Sequence, residues 1–422
     1  MSAGREATSL AWRARHPGGS ADPLARLRAA AELRAGANLR RRLRPRSADH
    51  DGLLDLASND YLGLSRDSRL IEGAARAARD WGAGSTGSRL VTGTTELHAR
   101  LDARLAAFAG KAAGLVFSSG YLANLAAVVT LSGPGSLVVS DRLNHASIID
   151  ACRLSRARVA VTPHRDVAAV ERALAARDEE VAVVVTDAVF SVDGDLAPLA
   201  ELHRVARRHG ALLVIDEAHA LGVVGPGGRG AAAAAGLGGE PDVVLTVTLS
   251  KALAAQGGAV LGAPEVIDAL VDAGRPFIFD TGLAPAGVGA ALAALDVLAD
   301  EPALPAMARD RALRVWELAR ERGLATPPAP PAAAVVAVVL GEPGAALRGG
   351  EICAGHGVRV GCFRPPSVPD GRACLRITAP ASLAEDDLAV LAKALERVAA
   401  ELAPYSLPVT PERTGREREE RP

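Results

Sequence analysis

From Gly114 onward the chain repeats one rhythm: a short continuous apolar run, then a longer stretch in which apolar residues recur every three or four positions. The runs are "GLVFSS", "SLVVSD", "ARVAVT", "VAVVVTD", "ALLVIDEAH", "DVVLTVTLSK" and "GGAVLGA". They do not alternate apolar with polar, so each predicts a strand covered on both faces, as in a mostly parallel sheet. Stretches between them, such as "VAAVERALAARDEE" and "LAPLAELHRVARRHG", predict amphipathic helices. That alternation is the signature of an α/β architecture. After "GLAPAGVGAALAALDVL" the texture changes: "PPAPPAAAVVAVVLGEPG" predicts a strand behind a Pro-rich connection, and "CLRITAPASLAEDDLAVLAKALERVAAEL" a strand followed by an amphipathic helix. The expected organisation is a helical N-terminal arm over 1–60, a large α/β domain over 61–300 and a small C-terminal α+β domain over 301–405. The charged stretch "TPERTGREREERP" predicts a disordered tail over 406–422.

Composition narrows the function classes. A chain of 422 residues, 49% of them hydrophobic, can bury a large core. A formal net charge of -1 provides no general attraction to nucleic acid or to an anionic membrane. No apolar stretch is long enough to cross a bilayer. Cys152, Cys353, Cys362 and Cys374 lack the paired spacing of a zinc site, so no metal is expected, and they read as reduced core thiols of a cytoplasmic protein. The Arg-rich stretch "RAAAELRAGANLRRRLRPRS" superficially matches a transit peptide, but Ala and Arg dominate the whole chain, and a helical arm is the expectation.

Two Gly- and Lys-containing stretches carry candidate chemistry. "GAGSTGS" at 82–88 matches G-x-G-x-x-G, but "IEGAARAARDWG" before it is helical in pattern. A dinucleotide fingerprint must follow a buried strand, so the match is read as a loop. "VVLTVTLSKALAAQGG" holds Lys251, one of only three lysines among 48 basic residues. A surface cation here could have been arginine; an amine that must lose its proton and attack a carbonyl could not.

Polar stretches at the predicted strand ends complete a set. "DEAHALG" contributes Asp216 and His219, "FSVDGD" contributes Ser191, and Thr248 precedes Lys251. An aldehyde cofactor with a pyridine ring requires a lysine, an acid for the ring nitrogen, and hydroxyls and amides for a phosphate. Taken singly, Asp216 could cap a helix and His219 could be structural. The order Asp-x-x-His and then T-x-S-K one βα unit later is far more specific.

The motifs "ASNDYLGLS", "GAGSTGSRLVTGTTELH", "FSSGYLANLA", "SDRLNHASIIDAC", "VIDEAHALGVVGPGGRG", "TLSKAL" and "RPPSVPDGRACLRIT" resemble the α-oxoamine synthase family of pyridoxal-phosphate enzymes, from "ANLRRRL" to about Leu402. The resemblance implies fold type I, the aspartate-aminotransferase-like fold, with pyridoxal 5'-phosphate as cofactor. It implies that Lys251 carries the cofactor and moves a proton, Asp216 faces the ring nitrogen, His219 the phenolic oxygen, and His145 the ring face. Gly120, Tyr121, Ser191 and Thr248 would hold the phosphate or ring oxygen, with Thr281 arriving from a second subunit of a homodimer. Arg376 would bind the amino-acid carboxylate, and Arg40, Asn59 and Thr378 would touch substrate. The branch most resembled joins L-alanine to a pimeloyl thioester, on coenzyme A or a carrier protein, in biotin synthesis. The glycine-using and 5-aminolevulinate-forming branches stay open, as does an aminotransferase of the same fold. One departure stands out: after "KAL" the chain reads "AAQGG" where relatives often carry a glycine-containing stretch.

Overall fold

The structure is a computed structural model that describes residues 22–48 and 51–402. Its described strands are β1 (Leu54–Leu56), β2 (Ala113–Phe117), β3 (Ser136–Asp141), β4 (Arg158–Thr162), β5 (Val181–Asp187), β6 (Leu212–Asp216), β7 (Val243–Thr248), β8 (Gly258–Gly262), β9 (Val335–Gly341), β10 (Val358–Phe363) and β11 (Ala373–Thr378). They form a seven-stranded sheet, β2-β8-β7-β6-β5-β3-β4, and a four-stranded sheet, β1-β10-β11-β9. In the large sheet β8 alone runs against its neighbours.

The unbroken apolar runs are explained by burial on both faces. Val184, Leu213, Ile215, Leu245 and Val247 face one core, while Val183, Val185, Val214 and Val244 face the other. Because side chains alternate across a strand, a polar residue at any of these positions would lie in one core or the other. The polar residues therefore collect at the strand ends, and the parallel strands end on one edge.

Seven predicted strands correspond to β2 through β8. In the small sheet, β9 and β11 and the helix Glu385–Leu402 match the reading, and β1 and β10 were not anticipated. β10 reads "VRVGCF", with an arginine and a glycine interrupting its pattern, and β1 is three residues long. The N-terminal reading needs correction. Only Ala25–Gly36 is a described helix in the segment assigned to the arm, and β1 pairs in parallel with β10, so this segment builds part of the small sheet. The predicted tail over 406–422 lies outside the described residues, as does the arm before residue 22. No described helix is long and apolar enough to cross a membrane.

Two helices flanking the large sheet, Ser68–Trp81 and Pro285–Asp300, cross at a pair of glycines. A Cβ on Gly289 would lie 2.4 Å from the Gly73 carbonyl oxygen, and one on Gly73 would lie 2.9 Å from the Gly289 oxygen. Backbone against backbone cannot yield, so Gly289→Leu forces the helices apart. Overpacking of this kind costs about 1–3 kcal/mol or more. Urea unfolding of the apoprotein should show a lower midpoint in Gly289→Leu; an unchanged midpoint would mean that this crossing is not tightly packed.

Candidate active site

Three strands of the large sheet deliver the polar set to one edge. β5 ends at Asp187 and β6 at Asp216, which are direct cross-strand partners. β7 ends at Thr248, and Lys251 follows in the turn. From β2 the chain passes through Ser119, whose hydroxyl accepts from the Leu122 N–H and starts the helix Gly120–Leu131. A cavity of about 260 Å³ lies among these ends, walled by Gly120, Tyr121, Asn124, His145, Asp187, Asp216, His219, Thr248 and Lys251. Its volume is close to the lower end for small-molecule sites.

Each side chain is held by a specific partner. Asp216 accepts from Asn124 Nδ2 at 2.7 Å and from the Ala218 N–H at 2.9 Å. Asn124 is fixed in turn, donating to Ser147 Oγ at 2.8 Å and accepting from Thr246 Oγ1 at 2.5 Å. His145 caps the helix Ala146–Ser155, its Nδ1 accepting from the Ser147 N–H at 3.3 Å, which fixes the ring beside the cavity. In "DEAH" the middle carboxylate serves a different purpose. Glu217 accepts from the Ala231 and Ala232 N–H groups at 2.9 and 2.6 Å, and burial pushes its carboxyl up to about 7.

Burial dominates the electrostatics. It lowers the Lys251 amine to about 8, with Arg376 pushing the same way and Asp216 and Asp187 opposing. It drives the His219 imidazole well below its ordinary value, helped by the Lys251 charge, and lowers His145 too. Asp187 is raised well above the carboxylate range by burial and by the charge of Asp216 beside it. Two adjacent carboxyls cannot both ionise cheaply. One buried Asp187 oxygen, Oδ2, has no hydrogen-bond partner among the described residues.

A pyridoxal phosphate fits these residues. The cavity has an amine of depressed pKa, a braced carboxylate and two imidazoles on one side. On the other it has the first turn of a long helix, where free N–H groups suit a phosphate. Gly258 lets this helix start approach closely, since a Cβ there would lie 2.5 Å from Gly120. The "AAQGG" departure is accommodated by Ala254 in the left-handed region at φ 47 and by Gly257 at φ 122, so the turn closes without a glycine at 254.

The sequence-predicted residues divide into three groups. Lys251, Asp216, His219, His145, Gly120, Tyr121 and Thr248 share the cavity wall. Asn59, Ser191 and Arg376 form an adjoining group: buried Arg376 donates to the Ser191 carbonyl at 3.1 Å and to Asn59 Oδ1. Ser191 thus meets this group through its backbone, and its hydroxyl is not part of the cavity wall. Thr378 shares the Arg376 face of β11, with its buried Oγ1 unpartnered. Thr281 is exposed and Arg40 lines a separate cavity, so the single chain brings neither to Lys251. Cys362, read as a core thiol, is only part-buried and lines that second cavity as well.

Sequence reading missed Asn124, Asp187 and Tyr61. A lone Asn in the apolar helix "GYLANLAAVV" and an Asp closing "VAVVVTD" were the available signals. Tyr61 had none, because its partner is 158 residues away.

The comparisons follow this geometry. The sequence model described as Aminotransferase class I and II matches residues 51–395. The 8-amino-7-oxononanoate synthase of Mycobacterium sp. (strain JLS) is 63% identical over 87% of this chain and 94% of its own length. The chain belongs to the class I and II aminotransferase family, in its 8-amino-7-oxononanoate synthase branch. Among solved structures, serine palmitoyltransferase with PLP is similar at a TM-score of 0.79 and 30% identity, over 83% of this chain and 88% of that one. An 8-amino-7-oxononanoate synthase from Francisella tularensis is similar at a TM-score of 0.71 and 25% identity, over 84% and 99%. As a member of this branch the protein is an acyltransferase that uses pyridoxal 5'-phosphate.

In this branch member, Tyr61 couples to the lysine through His219. Tyr61 Oη lies 2.6 Å from His219 Nδ1, and His219 Nε2 lies 3.0 Å from Lys251 Nζ. Burial raises the Tyr61 phenol above its usual value, so it stays neutral. A protonated amine can only donate to Nε2, which places the imidazole proton on Nδ1, facing Tyr61, and turns the Tyr61 proton to Asn59 Oδ1 at 3.2 Å. A neutral amine can donate or accept and so also admits the tautomer with its proton on Nε2, in which Tyr61 donates to Nδ1. The tautomers open to His219 thus depend on the charge of Lys251.

Two measurements test this. Only the free amine attacks a carbonyl, so the rate at which apoenzyme takes up pyridoxal phosphate should rise with pH through about 8 and then level off. A rise centred near the ordinary lysine value of about 10.5 would show that the amine is not desolvated. Tyr61→Phe removes a buried hydrogen bond, an effect of about 1–3 kcal/mol. In wild type, ¹⁵N shifts of the His219 ring should exchange tautomers across the same pH interval, and in Tyr61→Phe that exchange should move or vanish; an identical titration in both would detach Tyr61 from the lysine.

Proposed function

We propose that the chain condenses L-alanine with a pimeloyl thioester, carried on coenzyme A or on a carrier protein. The products are 8-amino-7-oxononanoate, carbon dioxide and free thiol, a step in biotin formation. The observation that carries this reading is the cavity itself: Lys251 at 3.0 Å from His219, with Asp216 braced by Asn124, in a chain so similar to synthases of that name.

When bound, pyridoxal phosphate supplies the electron sink that acidifies the α-carbon of an amino acid. The chain's residues do the rest. Lys251 would hold the cofactor, and its amine would take the α-proton of alanine and later return one. Its depressed pKa, about 8, leaves a useful fraction unprotonated near neutrality. Asp216 faces the ring nitrogen, with both oxygens oriented by N–H donors. His219, with its proton on Nε2, donates toward the phenolic oxygen, and His145 covers the ring face.

The amides of Gly120 and Tyr121, with the Thr248 hydroxyl, would hold the phosphate, and Thr281 would complete the site from the second subunit of a homodimer. Arg376 receives the alanine carboxylate. Its Nε makes no hydrogen bond among the described residues, leaving a buried donor for that partner. Asn59 and Thr378 border the same place, and Arg40 lies toward the acyl donor. The alanine α-carbon bonds to the acyl carbon, the carbon–sulfur bond breaks and thiol leaves. The alanine carboxylate then departs as carbon dioxide, and the α-carbon regains a proton.

Thiol release, followed with a panel of amino acids and acyl thioesters, tests the reading. Alanine with pimeloyl-CoA or pimeloyl carrier protein should be the preferred pair, and Lys251→Ala should lower turnover roughly a thousandfold or more while keeping the fold. Preference for glycine with a short acyl group would move the chain to another branch of the family.

A further inference from the structure

The turn over 190–195 presents the Ser191 carbonyl to Arg376, and it is held from both domains. It closes on itself through two backbone hydrogen bonds: the Phe190 N–H donates to the Asp195 carbonyl at 3.0 Å, and the Gly194 N–H donates to the Phe190 carbonyl at 2.9 Å. On the small-domain side, Arg372 Nη2 donates to the two Asp193 carboxylate oxygens at 2.9 and 3.0 Å. The Ala332 N–H donates to the Gly194 carbonyl at 2.9 Å. Gly194, at φ 73, passes so near the small sheet that a Cβ would lie 2.5 Å from the Val335 carbonyl oxygen.

On the large-domain side the hold centres on His164. Its Nδ1 donates to Asp141 Oδ1 at 3.1 Å, and its Nε2 donates to Asp195 Oδ2 at 2.9 Å. Both partners are carboxylates, which only accept, so an imidazole that bonds to each carries protons on both nitrogens. Asp141 closes β3 and is itself fixed, accepting from the Leu143 N–H at 2.8 Å and the Arg165 N–H at 2.7 Å. The Phe190 ring packs against the imidazole, edge to face, with centroids 4.3 Å apart. Burial opposes the charge, but the hydrogen bonds to Asp141 and Asp195 outweigh it and raise His164 to about 9. The other charges nearby are Asp193 on the turn and Arg165, whose guanidinium lies 3.2 Å from Asp195.

We propose that His164, donating from both ring nitrogens, is a positioning residue for the amino-acid carboxylate: it ties Asp195 to Asp141, fixes the turn over 190–195, and so aims Arg376 through the Ser191 carbonyl. This rests on the reading that Arg376 receives the alanine carboxylate. The Arg376 guanidinium is a rigid plane with two nitrogens committed, Nη1 to the Ser191 carbonyl and Nη2 to Asn59, and with its face on the Phe363 ring at 4.6 Å. The direction of the buried, unpartnered Nε is therefore set by those anchors. A shift of the Ser191 carbonyl rotates the whole fork, and paired hydrogen bonds to a carboxylate tolerate little rotation. His164 does not line the catalytic cavity, so its influence passes through the turn.

The test is His164→Gln in the cofactor-loaded enzyme. Glutamine offers N–H donors at one end only, so it cannot donate to acids on both sides. Alanine affinity near neutral pH, titrated by cofactor absorbance, should fall about tenfold, while the KM for pimeloyl-CoA stays near wild type. In an Arg376→Lys background the same substitution should change alanine affinity by less than about twofold, because no fork remains to be aimed. His164 is raised, so its hold is complete below the ordinary histidine value of about 6.5 and is lost as pH rises through about 9. The affinity ratio of wild type to His164→Gln should therefore shrink above that pH; Lys251 titrates in both proteins and cancels from the ratio. Equal alanine affinity in the two proteins would overturn the proposal. So would a ratio that ignores pH, an equal loss for both substrates, or an undiminished loss in the Arg376→Lys background. If His164→Gln does not fold, Asp195→Asn cuts the same link and is read by the same outcomes. An Arg376→Lys variant with wild-type alanine affinity would instead remove the carboxylate role of Arg376. The ¹⁵Nε–H resonance of Arg376 in alanine-free enzyme separates the two cases: it should shift in His164→Gln whichever group receives the carboxylate, and an unshifted resonance would overturn the proposal.

Discussion

Lys251 lies at the end of an apolar sheet where burial disfavours its ammonium, and the behaviour of the site follows from that constraint. Desolvation lowers the amine to about 8, keeps His219 neutral and raises the Asp187 carboxyl well above the carboxylate range. None of these groups could hold its state alone in that position. Asp216 keeps its orientation through Asn124 and the Ala218 N–H, and Asn124 keeps its own through Ser147 and Thr246. A buried polar network of this kind is favourable only when nearly every member is satisfied. The exceptions, Asp187 Oδ2 and Arg376 Nε, lie where a cofactor and a substrate would supply partners.

The family spans more than one chemistry, and its aminotransferase description is compatible with an acyltransferase here. The large sheet places Lys251 and Asp216 at one edge, beside the same cavity. His145 caps a helix beside the cavity, and the small sheet brings Arg376 across to Asn59 and Ser191. Residues 59 and 61 belong to the link between the two sheets. Tyr61 joins the large-domain His219 by its side chain and the small domain by its backbone, its carbonyl accepting from the Ala381 N–H at 2.8 Å. Relative movement of the sheets would therefore be felt at the lysine.

The amino-acid pattern alone determined the large sheet and its catalytic edge. Strands buried on both faces must be apolar without interruption, so Asp216, Thr248 and Lys251 could only stand at their ends, where the chain leaves the core. Local motifs carried His219 and the helix start at Gly120 for the same reason: each depends on neighbours a few residues away. Tertiary structure alone decided the rest. β1 is too short to read and exists because β10 offers it an edge, and β10 hides behind an arginine and a glycine. Tyr61, Asn124 and Asp187 look ordinary in sequence because their meaning lies in partners 158, 92 and 29 residues away, at His219, Asp216 and again Asp216. Sequence records which residues must avoid water; folding alone determines which of the remainder are left facing one another without it.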